Sequence, residues 1–123
     1  MIIKKGNFYY YYLENEEVSF DFNNWVTPFG LEEYGKKSIV NLTIPKNNDG
    51  LNLKNIILQI CDEIKKEFGE YAKSPIKPNG LTELVRCEIK KTLVLEKNSI
   101  ISGTINFKIY NFKGNWGIIC LIN

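Results

Sequence analysis

Glu16/Glu17, Glu32/Glu33 and Asp62/Glu63 are adjacent carboxylate pairs, the residues of this chain that come nearest to an acid–base set. Histidine is absent altogether. Its absence removes the usual general base near neutral pH and the commonest transition-metal ligand. Ser-His-Asp and Cys-His catalysis on this chain alone are excluded with it. Neighbouring residues point to opposite faces of a strand and do not face each other on a helix, so none of the pairs forms a dyad by local spacing. An acid–base site would have to be assembled by the fold. Cys61, Cys87 and Cys120 are odd in number and widely spaced, without the C-x-x-C pairing of metal sites. They read as buried structural thiols of a reducing compartment. Asn79-Gly80, Ser102-Gly103 and Lys113-Gly114 are turn glycines without the strand–turn–helix setting of a phosphate loop. The expectation is a protein that is not an enzyme, with no catalytic residue, no metal and no cofactor.

What remains is recognition. Phe8-Tyr9-Tyr10-Tyr11-Tyr12 is followed at once by Glu14, Glu16, Glu17 and Asp21. In a strand these aromatics divide between two faces, Phe8, Tyr10 and Tyr12 on one and Tyr9, Tyr11 and Leu13 on the other. One set can enter a core while the other stays at the surface. The first set is assigned to packing and Tyr9 and Tyr11 to the surface. Tyrosine offers large contact area and a polar tip at low rotamer entropy, as binding surfaces require. Joined with Trp25, Glu32, Glu33 and Tyr34, the outward tyrosines and nearby acids make a candidate partner-binding group. Aromatic anchors rimmed by acids suit a basic protein.

The charge distribution agrees with that group. Over residues 1–35 Lys4 and Lys5 stand against Glu14, Glu16, Glu17, Asp21, Glu32 and Glu33, a net charge of −4. The rest of the chain carries the excess of base within an overall +2. Ile, Lys and Asn supply 47 of the 123 residues, a bias expected of AT-rich coding sequence that discounts the lysines as a nucleic-acid signal. Nucleic acid is disfavoured further because carboxylates beside the tyrosines repel phosphate. Arg86, Lys90, Lys91, Lys97 and Lys108 lie far along the chain without interleaved exposed aromatics, and they read as a charged sheet edge or face.

These residues have to be positioned by a small set of elements. The length fits one domain, residues 1–123, able to bury a core without disulfides. No apolar run reaches the length of a membrane span and no signal-peptide pattern opens the chain, so a cytoplasmic location is expected. Phe8–Leu13 and Glu17–Phe22 read as a hairpin turning at Glu14-Asn15-Glu16. Residues 23–37 read as irregular, and Ser38–Ile44 as a third strand. Leu53, Ile56, Ile57, Ile60, Cys61, Ile64 and Phe68 form one stripe of a helix over 52–68, capped by Asp49 or Asn52 and closed by Gly69. Residues 70–80 read as a loop. The stretch 82–96 fits a strand, with Lys91 at a bulge, or less well a helix. Thr104–Phe112 and the apolar run Trp116–Ile122 form a second hairpin, the latter strand central in the sheet. The order β-β-β-α-β-β-β predicts an α+β fold, a single mainly antiparallel sheet packed by one main helix.

The opening Met1–Asn24 with its tyrosine run, the aromatic loop Trp25-Val26-Thr27-Pro28-Phe29-Gly30 and the AT-biased single-domain plan resemble the small cytoplasmic immunity proteins of bacterial polymorphic-toxin and contact-dependent growth-inhibition systems. That resemblance implies a non-catalytic protein that neutralises a cognate toxin, a nuclease in many such systems, by occluding its active site or substrate entry. It transfers no site residues, because the family shares no short motif. The alternatives are a phage-encoded inhibitor of a host defence nuclease, which would use the same physics, and a small nucleic-acid-binding domain using Arg86–Lys108.

Overall fold

The computed structural model describes residues 1–90 and 94–123. Six strands precede the helix: β1 (Ile2–Lys5), β2 (Phe8–Leu13), β3 (Glu16–Glu17), β4 (Ser19–Thr27), β5 (Leu31–Tyr34) and β6 (Lys37–Thr43). Helix α1 spans Asn48–Phe68. After it come β7 (Ala72–Lys73), β8 (Ile76–Asn79), β9 (Thr82–Ile89), β10 (Ser99–Phe112) and β11 (Asn115–Ile122). The fold is α+β, one helix on a large, mostly antiparallel sheet. It departs from the expected plan in having eleven strands among the described residues and a mixed sheet, because β11 runs parallel to β7 and to β9.

The main pairing path is β1-β2-β10-β11-β9-β6-β5. The long strand β10 organises one half. Its first part pairs with β4 and its second with β2, both antiparallel, while β11 lies along its other edge. Strand β11 is central, as its unbroken apolar run requires: buried Trp116, Ile118, Cys120 and Ile122 face the helix and Ile119 and Leu121 the other side.

Helix α1 covers the core face with Leu53, Ile57, Ile60 and Ile64, all buried. Each such side chain contributes about 1.5–3 kcal/mol relative to exposure. The helix starts four residues earlier than the expected 52, and Asn47 caps it instead of Asp49 or Asn52, its Oδ1 accepting from the Gly50 N–H at 3.0 Å. The polar run before the stripe reads as a turn, yet it forms the first helical turn. At the other end Gly69 adopts φ 68° and its N–H donates to the Lys65 carbonyl, closing the helix where expected. No helix among the described residues is long and apolar enough to cross a membrane.

Three expectations about the strands are corrected. Only Tyr12 and Leu13 pair with β3, so the first hairpin is two residue pairs long, and the chain then leaves β2 to join β10. Residues 23–37 are not irregular: β4 continues through Thr27, and β5 and β6 form a hairpin. Residues 70–80 contain two short strands, β7 and β8, with Pro78 tolerated in the latter. The ambiguous stretch is strand β9 over Thr82–Ile89, and the bulge expected at Lys91 lies outside the described residues.

A bulge explains why β4 escaped the periodicity. Asn23 and Asn24 of β4 together oppose Ser102 of β10, with Asn24 at φ 57°. Ser102 Oγ accepts from the Asn24 N–H and donates to Asn23 Oδ1, both at 2.9 Å. The extra residue shifts the alternation by one, so the inward series runs Phe20, Phe22, then Trp25 and Thr27.

Candidate functional site

The two faces of the tyrosine strand are the reverse of the expectation. Tyr11 is buried, and Tyr9 packs under the helix end, its ring centroid 5.6 Å from Phe68 and 5.0 Å from Trp116. Burial raises the Tyr11 phenol pKa, and Glu63 and Glu67 add to the shift. Alternation therefore sends Phe8, Tyr10 and Tyr12, each half-buried, to the face opposite the helix. Period two separates the two sets but carries no sign of which one meets α1. Trp25 is also withdrawn from the surface: the bulge turns it inward, where it is 3% exposed and packs 5.6 Å from Phe20 and from Phe22.

The expected acids remain accessible but belong to different neighbourhoods. Glu14, Glu16 and Glu17 are exposed at the β2–β3 turn, where Glu14 and Asn15 both take positive φ as a two-residue hairpin turn demands. Asp21, exposed on β4, accepts from Thr104 Oγ1 at 2.7 Å. Glu32, Glu33 and Tyr34 lie on β5, at the opposite end of the pairing path from β1 and β2. There Glu32 accepts from Asn41 Nδ2 at 3.0 Å and from the Tyr34 hydroxyl at 2.8 Å, which raises the Tyr34 pKa. The ten residues do not form one surface.

A different group does converge. Among the described residues no helix covers the second face of the sheet, and two adjoining depressions of about 510 and 530 Å³ lie on it. They share Phe8, Lys37, Glu88 and Ile119. Tyr110 and Phe112 of β10 complete an aromatic wall, over a floor that includes the buried Ile39. The lining cations are Lys37, Lys73, Lys77 and Arg86 in the first depression, with Lys36, Lys90 and Lys108 added in the second. Glu88 is the one lining carboxylate, and Lys37 Nζ lies 3.5 Å from it.

Aromatic rings on this face stand beside cations. Lys108 Nζ is 4.8 Å from the Phe8 centroid, and the Arg86 guanidinium is 5.7 Å from that of Tyr34. Lys5 lies 4.9 Å from the Tyr12 centroid and donates a hydrogen bond to its hydroxyl, which raises the lysine pKa. Tyr110 lies across Gly117 of β11, since a Cβ built there would fall 2.3 Å from its ring Cζ and Oη. Glycine lets the ring approach the backbone more closely than any side chain would allow. Of the basic residues expected to lack aromatic neighbours, Arg86, Lys90 and Lys108 line the depressions together with rings of β2 and β10; Lys97 does not, and Lys91 lies outside the described residues. The available signal was parity: Lys108 and Tyr110 alternate with the buried Ile105, Phe107 and Ile109.

The fold does assemble one carboxylate pair that adjacency missed. Glu63 and Glu67 lie one turn apart on α1 and share a hydrogen bond, which is the main cause of the lowered Glu63 pKa. Burial, then the bond to Glu63, raises that of Glu67. Both are engaged by the chain itself: Glu67 Oε2 accepts from the Ile2 N–H at 3.1 Å, and the Met1 amine lies 3.6 Å from Glu63. They dock β1 on the helix. No group of three or more potential metal-ligating residues is found among the described residues.

Cys87 and Cys120 are buried directly opposite each other on β9 and β11, whereas Cys61 is only half-buried, short of the burial expected of it. Burial pushes the Cys87 thiol well above its ordinary pKa, with Cys120 adding to the shift, and burial also raises Cys61. A thiol reagent such as Ellman's is expected to react slowly with Cys61 alone in the native protein and with all three after unfolding. Rapid native reaction of Cys87 or Cys120 would contradict this packing.

No protein-family model matches the chain, and no curated protein matches its sequence.

Proposed function

We propose that this chain is a non-catalytic binding protein that engages a macromolecular partner through the sheet face opposite α1. One observation carries the reading: half-buried or exposed aromatics and seven cations converge there from six strands and their flanking segments, around two adjoining depressions. An ordinary solvated face does not need Phe8, Tyr110 and Phe112 beside one another at the surface, and contiguous exposed apolar area tends to mark interaction sites. The positive rim speeds encounter with an anionic partner and disfavours basic ones.

Toxin neutralisation, implied by the resemblance to immunity proteins, is a second form of such binding. The exposed carboxylates of the β2–β3 turn favour it, since Glu14, Glu16 and Glu17 could meet a basic toxin cleft. It would no longer recruit Tyr11 or Trp25.

Site-specific photocrosslinking in the cells that produce the protein separates these forms. A photoreactive residue replaces Phe112 on the open face, Glu16 at the turn or Tyr71 outside both depressions. Strong adducts at position 112, with little at 16 and 71, are expected. Adducts at position 16 alone would move the function to the acidic turn, and no adduct at any position would remove the binding reading.

A further inference from the structure

We infer that the occupant of the open sheet face is single-stranded nucleic acid, a proposal that rests on the binding role assigned to that face. Two requirements of such a ligand meet there. The first is a set of platforms for unpaired bases. Tyr110 lies across Gly117, in the space a side chain there would take, and lines the first depression. Phe8 and Phe112 line the same depression, the latter 66% exposed. Three rings in one open trough suit successive planar bases, whereas a paired duplex keeps its base faces hidden.

The second requirement is a cationic track for the phosphates. Lys73, Lys77 and Arg86 line the trough with the rings, and Lys108 joins Phe8 in the adjoining one. The carboxylate in the trough, Glu88, is offset by Lys37. An acidic protein would satisfy the charges but has no use for flat platforms, and a basic toxin cleft would be repelled. Nucleic acid uses both features with the same set of contacts.

Fluorescence anisotropy tests the proposal, with labelled 12-nucleotide oligo-dT and oligo-U, the matched 12-base-pair duplex, and polyglutamate of equal charge as a chain without bases. Both single strands are expected to bind at least tenfold more tightly than duplex or polyglutamate. Four phosphate contacts would give a slope of log K against log salt of about −3. Phe112→Ala, a change at an exposed site, is expected to weaken binding about 5- to 150-fold, the range of one lost base stack. Lys77→Glu is expected to weaken it and flatten the salt slope, and Tyr71→Ala to leave it unchanged, with thermal melting confirming that each variant is folded. Equal binding of polyglutamate or duplex, no binding, or indifference to both Phe112→Ala and Lys77→Glu would overturn the proposal. The photocrosslink at position 112 keeps the two readings distinguishable. An adduct removed by nuclease supports nucleic acid, while one removed only by protease leaves the binding face standing and replaces its occupant with a protein.

Discussion

Trp25→Ala is expected to lower stability by about 3–5 kcal/mol, the usual loss for deleting a large aromatic from a core. For a chain of this size that is a fall in Tm of roughly 10–20 °C. The indole is 3% exposed and packed at a tilt against Phe20 and Phe22 on the core side of β4. Its removal would leave a cavity between β4 and the helix-covered core, which rigid strands cannot collapse to fill. Calorimetry or urea unfolding measures the change. A loss below about 1 kcal/mol, outside the range of buried aromatic truncations, would mean that Trp25 is not packed as described and would restore it as a surface anchor.

Gly50→Ala is expected to destabilise by about 1–3 kcal/mol or more, as overpacking does. The sign is the informative part. In an ordinary helix the same change stabilises by about 0.5–1 kcal/mol, because glycine gives up more backbone freedom on folding. Here a Cβ would stand 1.9 Å from the Pro45 carbonyl oxygen and 3.0 Å from Ile44 Cγ2. The first of these is backbone, held by the entry of β6 into the helix, so the first turn of α1 would have to move. The Asn47 cap, which binds the Gly50 N–H, would move with it. A lower urea midpoint at unchanged m-value is the expected result. A stabilised variant would show that the Pro45 carbonyl yields easily.

Elements with a strong local period were legible in the sequence. The stripe Leu53–Ile64 and the alternation Ile105, Phe107, Ile109 specify a helix and a strand without help from distant residues. Gly50 hid the first helical turn because glycine beside Asn and Asp ordinarily marks a loop. Strand β4 was hidden by a single inserted residue, and that shift also misplaced Trp25. The tyrosine strand shows a more basic limit. Its two faces could be separated from sequence, but which one met the helix depended on pairing with β10, a hundred residues away. The candidate face was harder still. Phe8, Lys37, Arg86 and Tyr110 come from four strands, and only the strand order reveals that they are neighbours.

The central position of β11 also governs assembly. Without that strand the sheet divides into one block built on β10 with β2 and β4, and another built on β9 with β6, β5 and β8. The β10–β11 hairpin can form locally within about 1–10 μs, but the parallel register that brings Cys120 beside Cys87 must close across the intervening chain. Until β11 docks, β9 keeps an unsatisfied edge, the kind of surface that recruits other chains into aggregates. During synthesis β11 emerges after every other strand. Closing the sheet therefore waits on β11, which joins the block built on β10 to the block built on β9.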